Sequence, residues 1–466
     1  MINIIYNLRE IMNMQRKIAY SLFIIFIVAF ILIVSKGLIT PQPGDENAYY
    51  YMGKLVSEGK IPYKDFFFAH PPLQVYLIAS IYKIFGFNII ILKSIPLIST
   101  LISAFFIFKI TKDKFSDAEA VIASLLFLFS YGIMFNSVFS FGISVATMFL
   151  VIGVHFLLRK NYILAGIFFG LAGITRLLTL IPIFVILIMV LVSNKKRFFK
   201  LSSTFLIIFL LFNSIFLLFF GSDYSTPVYK YHLLKSFGNE ENFREYIDIV
   251  KLNWILFLSF ISLIFVKKKQ ISLFAVISIV YLIFLMTLKK IFGFYFVVAF
   301  PFLAICGGFA LVNIYKKIKL KINWKILILI VLFLVFSWNL ASDVLFLEKI
   351  GFTGFERGKD LIGFVNSRSN TLLFGDDSVV PLLALSTNKR IANDVVDTNN
   401  QVFVSGVIDL DSTLSELKGK DVLFLIRDRQ GISEFVDVRS YLDINCEFLS
   451  GFNDKIEGIY LVYSCK

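Results

Sequence analysis

The sequence predicts a mainly α-helical, polytopic membrane protein of about 11 spans. It also predicts a large outer first loop that carries interfacial helices, and a small C-terminal extracytoplasmic α/β domain. Hydrophobic residues make up 58% of the 466 residues, the mean hydropathy is +0.81, and only 17% of residues are charged. A soluble domain could not cover its surface with so few polar groups.

Apolar runs close to the ~20 residues that cross a bilayer define the predicted spans. They lie at 18–34, 89–108, 118–136, 142–158, 162–175, 177–193, 201–220, 252–266, 271–288, 294–315 and 326–347. The first run follows Arg16 and Lys17, and no small-residue cleavage site follows Ser35. We therefore interpret it as a retained signal anchor.

The stretch Leu73–Phe85 is apolar but shorter than a span, so we predict an interfacial helix on the outer leaflet. A cytoplasmic N-terminus then places nearly all basic clusters in the cytoplasm, as the positive-inside rule requires. These clusters lie at 109–114, 159–160, 195–200, 267–269 and 316–325. The outer face receives the first loop (35–88), a second loop (221–250) and the C-terminal tail.

Charge divides the chain into a transmembrane domain, 1–347, and a tail domain, 348–466. The first part has 33 Lys and Arg against 14 Asp and Glu, and the second has 13 against 18. The basic excess is typical of cytoplasmic loops, so we expect no nucleic-acid partner. In the tail we predict strands at 371–374 and 422–426, short helices at 380–385 and 413–417, and a hairpin over 446–463 that turns near 453–458.

The two cysteines of the tail, Cys446 and Cys465, would lie opposite each other at the open end of this hairpin. We expect a disulfide if the tail lies in an oxidising space. Two free thiols remain the alternative in a reducing habitat.

Adjacent acids, Asp45 and Glu46, open the first loop shortly after the first span. A carboxylate at a membrane surface suits proton transfer from an acceptor hydroxyl or amide. The structural alternative is that Asp45 caps the helix that follows, with Glu46 complementing the helix dipole.

Further candidates follow in the first loop. Asp65 is an additional acid, His70 could bind phosphate or carry a proton, and Pro71 and Pro72 form a rigid entry to the interfacial helix. The loop is also rich in aromatic residues: Tyr49, Tyr50, Tyr51, Tyr63 and Phe66 to Phe68. For these aromatics we favour a belt at headgroup depth.

Three basic residues lie at the outer ends of predicted spans, namely Arg176, Lys289 and Lys290. Such residues either extend to lipid headgroups or bind an anion. Together they could hold a phosphate, because Arg offers a bidentate fork and Lys a mobile charge.

The first loop resembles integral-membrane glycosyltransferases of the C-type (GT-C) fold, the group with protein O-mannosyltransferases, aminoarabinose transferases and lipopolysaccharide-core transferases. The shared elements are an acidic pair followed by Tyr, Gly-x-Pro-Tyr-x-Asp, Pro-Pro-Leu and aromatic-Gly. Here they are Asp45-Glu46, Gly59 to Asp65, Pro71 to Leu73 and Phe85-Gly86. Weaker similarities are Thr175-Arg176 and the segment from Phe294-Tyr295 to Pro301, which makes Tyr295 a substrate-site candidate along with Tyr49, Tyr50 and Tyr63.

This resemblance implies transfer of one sugar from a polyprenyl-phosphate carrier to a protein, lipid or glycan acceptor on the outer face of the cell membrane. Asp45 would be the general base of a single inverting displacement. Arg176, with Lys289 or Lys290, would stabilise the departing lipid phosphate.

The chain departs from the family at two points. His70 stands where relatives often have Lys, and the short loop Ser137–Phe141 lacks an acid that many relatives have there. A divalent metal is therefore left open, with Asp45 and Glu46 as its candidate ligands. The alternative functions are a transporter or flippase of lipid-linked saccharide and an oligosaccharide ligase or polymerase.

Overall fold

The computed structural model describes residues 2–235, 239–266, 271–368 and 371–466. The basic cluster at 267–269 lies outside the described residues. The chain is mainly helical, with a small sheet near its C-terminus.

The first 16 α-helices, numbered in chain order, are α1 (Ile2–Ile39), α2 (Asp45–Ser57), α3 (Leu73–Phe85), α4 (Ile89–Lys114), α5 (Asp117–Leu128), α6 (Tyr131–Asn136), α7 (Ile143–Leu158), α8 (Tyr162–Gly173), α9 (Leu180–Ser193), α10 (Lys195–Ser225), α11 (Tyr231–Leu234), α12 (Asn239–Leu252), α13 (Trp254–Ile261), α14 (Ser272–Leu285), α15 (Phe300–Lys317) and α16 (Ile322–Phe346). The C-terminal part adds α17 (Gly358–Asn366), β1 (Leu372–Gly375), α18 (Val380–Thr387), α19 (Asn400–Val404), α20 (Leu410–Ser415), β2 (Val422–Arg427), α21 (Val436–Asn445), β3 (Cys446–Asp454) and β4 (Gly458–Cys465).

Four of the described helices are long and apolar enough to cross a bilayer by themselves: Met14–Ile39, Ile89–Lys114, Lys195–Leu234 and Ile322–Gly351. The pair Glu240–Leu252 and Trp254–Phe265, bent by 83°, makes a fifth if it is one broken span. The chain is thus a helical membrane protein, whereas the figure of about 11 spans stays a prediction.

The chain forms two compact units. The first unit comprises Met1–Lys36, Ser94–Leu211 and Asn239–Gly351, and the second comprises Gly37–Lys93, Phe212–Gly238 and Phe352–Lys466. The second unit therefore combines the first loop, part of the second loop and the C-terminal sheet. Residues more than 300 positions apart in the sequence become neighbours within it.

The sheet of the second unit has strand order β1-β2-β4-β3. The pair β1–β2 is parallel, whereas β4 runs antiparallel to both β2 and β3. Its buried face includes Phe374, Phe424 and Ile426, against which Val438 and Leu442 of α21 pack. The predicted strands, the helix at 380–385 and the hairpin are confirmed, and the second short helix begins three residues earlier than predicted.

A disulfide joins Cys446 to Cys465 at the open end of the β3–β4 hairpin, where the two residues are paired in register. Closing a loop of this length stabilises a fold by ~3 kcal/mol in the chain-entropy model.

The two helices of the first loop pack closely against each other. The predicted interfacial helix is observed as α3, with Val75, Ile78 and Ala79 buried. Gly53 of α2 faces α3, and a Cβ there would lie 2.4 Å from Cγ2 of Ile78. A larger residue at this position would force the two helices apart.

Candidate active site

The start of α2 places the first functional side chain. Gly44 is the N-cap residue, with φ of 153°, and Asp45 is the first residue of the helix. The alternative that Asp45 caps α2 is therefore wrong, because Gly44 takes that position. Asp45 is an exposed residue at the start of α2.

The side chain of Glu46, the second acid of the pair, lies in the protein interior. Its Oε1 lies 3.2 Å from Nζ of Lys93, which is also buried. Tyr50 donates its hydroxyl to Oε2 of Glu46 at 3.4 Å, while Lys93 donates to the carbonyls of Gly37 and Thr40 at 3.0 and 2.9 Å. This arrangement fits a role in holding the first loop together, because a buried ion pair needs further hydrogen bonds to offset its desolvation.

This geometry also decides whether Asp45 and Glu46 could bind a divalent metal ion together. Successive helical residues point about 100° apart, and the Glu46 carboxylate is directed at Lys93. Asp45 and Glu46 therefore do not fit a shared metal site. Among the residues that the structure describes, no group of three or more His, Cys, Asp or Glu side chains could hold a metal ion.

The C-terminal sheet meets the start of α2. The backbone N–H of Gly44 donates to the carbonyl of Ser378 at 2.9 Å, and Nδ2 of Asn47 donates to the same oxygen at 3.4 Å. Ser378 follows Asp376 and Asp377 directly. These contacts bring Asp45 into a group of carboxylates contributed by the C-terminal part of the chain.

The pKa of Asp45 is raised above its ordinary value. The main cause is desolvation by the surrounding protein, followed by the negative charge of Asp376, whereas Lys235 and Arg427 act in the opposite direction. The carboxylate of Asp45 is thus partly desolvated, although the residue as a whole is exposed. Such a carboxylate is a stronger base than one in bulk water.

Two further carboxylates, those of Asp377 and Asp397, interact electrostatically with Asp45. Burial, then the charges of Asp376 and Asp45, hold the pKa of Asp377 well above its usual range. Burial, followed by the charge of Asp45, raises the pKa of Asp397 to about 6. Because these groups interact, they titrate together rather than as independent sites.

Sequence reasoning missed Asp376, Asp377, Asp397 and Arg427. A signal was present, since Asp376 and Asp377 follow β1 directly and Arg427 ends β2. The carboxyl ends of parallel strands meet at one edge of a sheet, where α/β domains commonly bind ligands. Nothing in the sequence alone indicates that this edge meets the first loop.

Two histidines link the first and second loops. Nε2 of His70 lies 3.1 Å from the hydroxyl of Tyr49, and Tyr63 donates to the His70 carbonyl at 2.7 Å. The rings of His70 and His232 stack with centroids 5.7 Å apart, and Nε2 of His232 lies 2.9 Å from the Ala69 carbonyl. His232 is therefore a neighbour of the predicted phosphate-binding residue.

The aromatic belt is largely wrong as a description of the first loop. Tyr50 and Phe68 are 0% exposed, Tyr51 is 1% exposed and Tyr63 is 6% exposed. Side chains buried to this extent pack inside the protein and cannot anchor it at headgroup depth.

Asp65 also lies in a structural contact. Its Oδ2 accepts a hydrogen bond from the backbone N–H of Ile61 at 2.7 Å, which closes the turn around Pro62. Pro72 is the N-cap residue of α3 and follows Pro71, so this pair marks the entry to that helix as predicted.

The remaining candidates belong to the first unit. Arg176 is 4% exposed and donates through a guanidinium N–H to the carbonyl of Phe141. Lys290 forms an ion pair with Glu241. Tyr281 donates to the backbone carbonyl of Tyr295 at 3.0 Å.

Lys289 is held through its backbone. Nδ2 of Asn242 donates to the carbonyls of Leu288 and Lys289 at 3.0 and 2.8 Å, and the N–H of Ile291 donates to Oδ1 of Asn242 at 2.8 Å. One Asn side chain thus fixes the conformation of the segment that carries both lysines.

Residues 69–219 match the family of dolichyl-phosphate-mannose-protein mannosyltransferases. Comparison with curated protein sequences finds no match.

Solved structures of other proteins are similar to this structure over most of the chain. ArnT from Cupriavidus metallidurans bound to undecaprenyl phosphate has a TM-score of 0.65 at 13% identity, covering 94% of this chain and 97% of ArnT. Its apo state gives 0.66 at 14% identity, with 96% and 98% covered. The archaeal oligosaccharyltransferase AglB from Archaeoglobus fulgidus, in complex with an inhibitory peptide and a dolichol-phosphate, gives 0.57 at 10% identity, with 96% and 74% covered. The chain therefore has the fold of these proteins, and the predicted resemblance to glycosyltransferases of the C-type (GT-C) fold is confirmed.

Proposed function

We propose that this protein is a glycosyltransferase that moves a sugar from a polyprenyl-phosphate carrier to an acceptor on the outer face of the membrane. The observation that carries the proposal is Asp45, an exposed residue whose carboxyl pKa is raised and which interacts with the carboxylates of Asp376, Asp377 and Asp397. The family match and the shared fold support the same reaction class.

In this reaction Asp45 is the general base. It takes a proton from the acceptor hydroxyl or amide while the acceptor atom attacks the anomeric carbon of the sugar. The bond between that carbon and the phosphate oxygen breaks, and its electron pair leaves with the lipid phosphate. One displacement of this kind inverts the anomeric configuration. The proton ends on Asp45, which returns it to water.

The donor phosphate requires cationic partners. We assign this role first to Arg176, whose planar fork can bind two phosphate oxygens. Lys289, Lys290 and His70 are further candidates. Since Lys290 is paired with Glu241, it would have to exchange one anion for another to bind the phosphate.

We expect Arg176→Ala to weaken donor binding roughly tenfold to a hundredfold, since hydrogen bonds between charged groups contribute ~1.5–3 kcal/mol. Binding of undecaprenyl phosphate to the purified protein measures this. Arg197→Ala, at an exposed basic site, is the matched control. Equal affinity in both variants would contradict a phosphate-binding role for Arg176.

The proposed orientation has the N-terminus in the cytoplasm and both the first loop and the tail outside. A single Cys introduced at Asp411, which is exposed on α20, should react with an impermeant maleimide in intact cells. A Cys at Lys196 should react only after the cells are opened. The reverse pattern would show that the orientation is inverted.

The reaction itself is tested in two steps. Mass spectrometry of surface glycans and glycolipids from cells with and without the protein identifies the product. Purified protein given a polyprenyl-phosphate monosaccharide should then release free polyprenyl phosphate. Movement of the donor across the membrane without this release would favour a flippase.

Transfer of an oligosaccharide is the second candidate, because the chain also shares the fold of AglB. The mass added to the acceptor separates the two candidates. A gain of one sugar unit supports monosaccharide transfer, whereas a gain of several units in a single turnover supports an oligosaccharide donor.

A further inference from the structure

The turn Asp376-Asp377-Ser378 connects the C-terminal sheet to the start of α2. We propose that Asp376 and Arg427 are positioning residues for the transfer reaction, which hold this turn so that it places Asp45 against the substrate. The inference rests on the proposed function of Asp45 as the base. It makes the C-terminal α/β domain part of the catalytic apparatus.

The Asp376 carboxylate is the centre of the turn. Its side chain is fully buried, with Oδ1 accepting from the N–H of Ser378 at 3.0 Å and Oδ2 accepting from Nε of Arg427 at 2.8 Å. Its own N–H donates to the Leu425 carbonyl at 2.8 Å. Both carboxylate oxygens and the backbone are thus engaged, which leaves the turn little freedom to move.

The backbone before the turn admits no larger residue. Gly375 has φ of 133°, and a Cβ there would lie 1.7 Å from the carbonyl oxygen of Leu425. Thr398 donates its hydroxyl to the Gly375 carbonyl at 2.5 Å, which ties the segment carrying Asp397 to the same turn. The carboxylates of Asp376, Asp377 and Asp397 are therefore carried by backbone segments that are tied to each other.

The turn is joined to the residues around Asp45 through a single hydrogen-bond acceptor. The Ser378 carbonyl receives both the Gly44 N–H and the Asn47 amide, on either side of Asp45 in the chain. A displacement of the turn would therefore move Asp45 with it. A shift of about 1 Å in a reacting group can cost on the order of a hundredfold in rate.

Arg427 is suited to this role by its shape. Nε binds Asp376 at 2.8 Å while Nη1 binds Glu457 at 3.2 Å. A lysine has one ammonium group and cannot reproduce this fork. Arg427→Lys should keep the positive charge but loosen the turn. Arg427→Gln should remove the positive charge and also loosen the turn.

The test compares these variants of the full-length protein, with Arg357→Gln as control. Arg357 pairs with Asp360 at 3.1 Å in the same unit, but on an exposed surface. The readouts are kcat and KM for the polyprenyl-phosphate donor, the pH profile of kcat, undecaprenyl phosphate binding and the thermal unfolding midpoint. Asp45→Asn is measured in parallel.

We expect kcat to fall about tenfold for Arg427→Lys and about a hundredfold for Arg427→Gln, with donor binding within about threefold of the unaltered protein. The pH midpoint should stay in place for Lys and move upward for Gln. The reason is that the positive charges of Arg427 and Lys235 lower the pKa of Asp45, whereas the negative charge of Asp376 raises it. The charge of Asp45 in turn raises the pKa of the neighbouring acids Asp377 and Asp397. A purely structural Arg427 would lower the unfolding midpoint while the folded Arg427→Lys protein kept a near-normal kcat.

Near-normal kcat in a folded Arg427→Lys protein overturns the positioning role, and this variant decides the question even if Arg427→Gln does not fold. If instead Asp45 is not the general base, Asp45→Asn will keep its activity, whatever the Arg427 variants do.

Discussion

Asp45→Asn is expected to lower the transfer rate by ~10²–10⁴, the range that general base catalysis contributes. The amide keeps nearly the same volume but cannot accept the acceptor's proton. Folding should be unaffected, because Gly44 rather than Asp45 caps α2. Donor binding should also persist, since the phosphate is assigned to cationic residues.

The measurement is release of free polyprenyl phosphate by purified protein, alongside undecaprenyl phosphate binding. Asp411→Asn, which alters an exposed carboxylate on α20, is the matched control and should leave both quantities unchanged. Near-normal turnover in Asp45→Asn would remove the basis of the catalytic assignment.

The pH dependence follows from the same residue. A base acts in its deprotonated form, so a raised pKa places the rise of activity at a higher pH than for an ordinary carboxylate. The rise belongs to the coupled group of Asp45, Asp377 and Asp397 rather than to one residue. Below this range protonated Asp45 cannot accept the proton, and transfer should cease.

Local pattern was sufficient for much of the fold. The bounds of α3 and the hairpin of the tail follow from apolar periodicity, alternation and turn residues. Asp45 could be singled out because an acidic pair follows Pro43-Gly44 shortly after a membrane-length apolar run. These features depend on residues close together in the sequence.

The rest of the site depends on contacts between distant segments. Asp376 and Arg427 lie more than 300 residues from Asp45, and no local pattern indicates that the Ser378 carbonyl receives the Gly44 N–H. The aromatic residues of the first loop illustrate the same limit. Their composition suits a membrane interface, but Tyr51 is buried, and its hydroxyl accepts a hydrogen bond from the N–H of Ile391 at 2.9 Å.

Lys93 was overlooked for a different reason. It lies in the apolar run 89–108, where hydropathy averages hide a single charge. In the structure it is fully buried, and it is the partner that makes Glu46 tolerable in the interior. An ionisable residue in an apolar helix usually has such a partner.

Lys93→Met is therefore expected to destabilise the protein by about 3–5 kcal/mol, since it leaves the buried Glu46 carboxylate without its ion-pair partner. The measured quantities are the thermal unfolding midpoint and the yield of folded protein in detergent. Lys36→Met, at an exposed position near the end of α1, is the control.

The double variant Glu46→Leu with Lys93→Met separates a structural from a catalytic role of Glu46. Replacing both members of a buried pair by apolar residues is often neutral or stabilising, so most of the lost stability should return. If Glu46 acts only through Lys93, transfer should return with it, because Asp45 and the Ser378 turn are unchanged. A double variant that is stable yet inactive would instead show that Glu46 takes part in the reaction, and that the ion pair in this structure describes only one of its states.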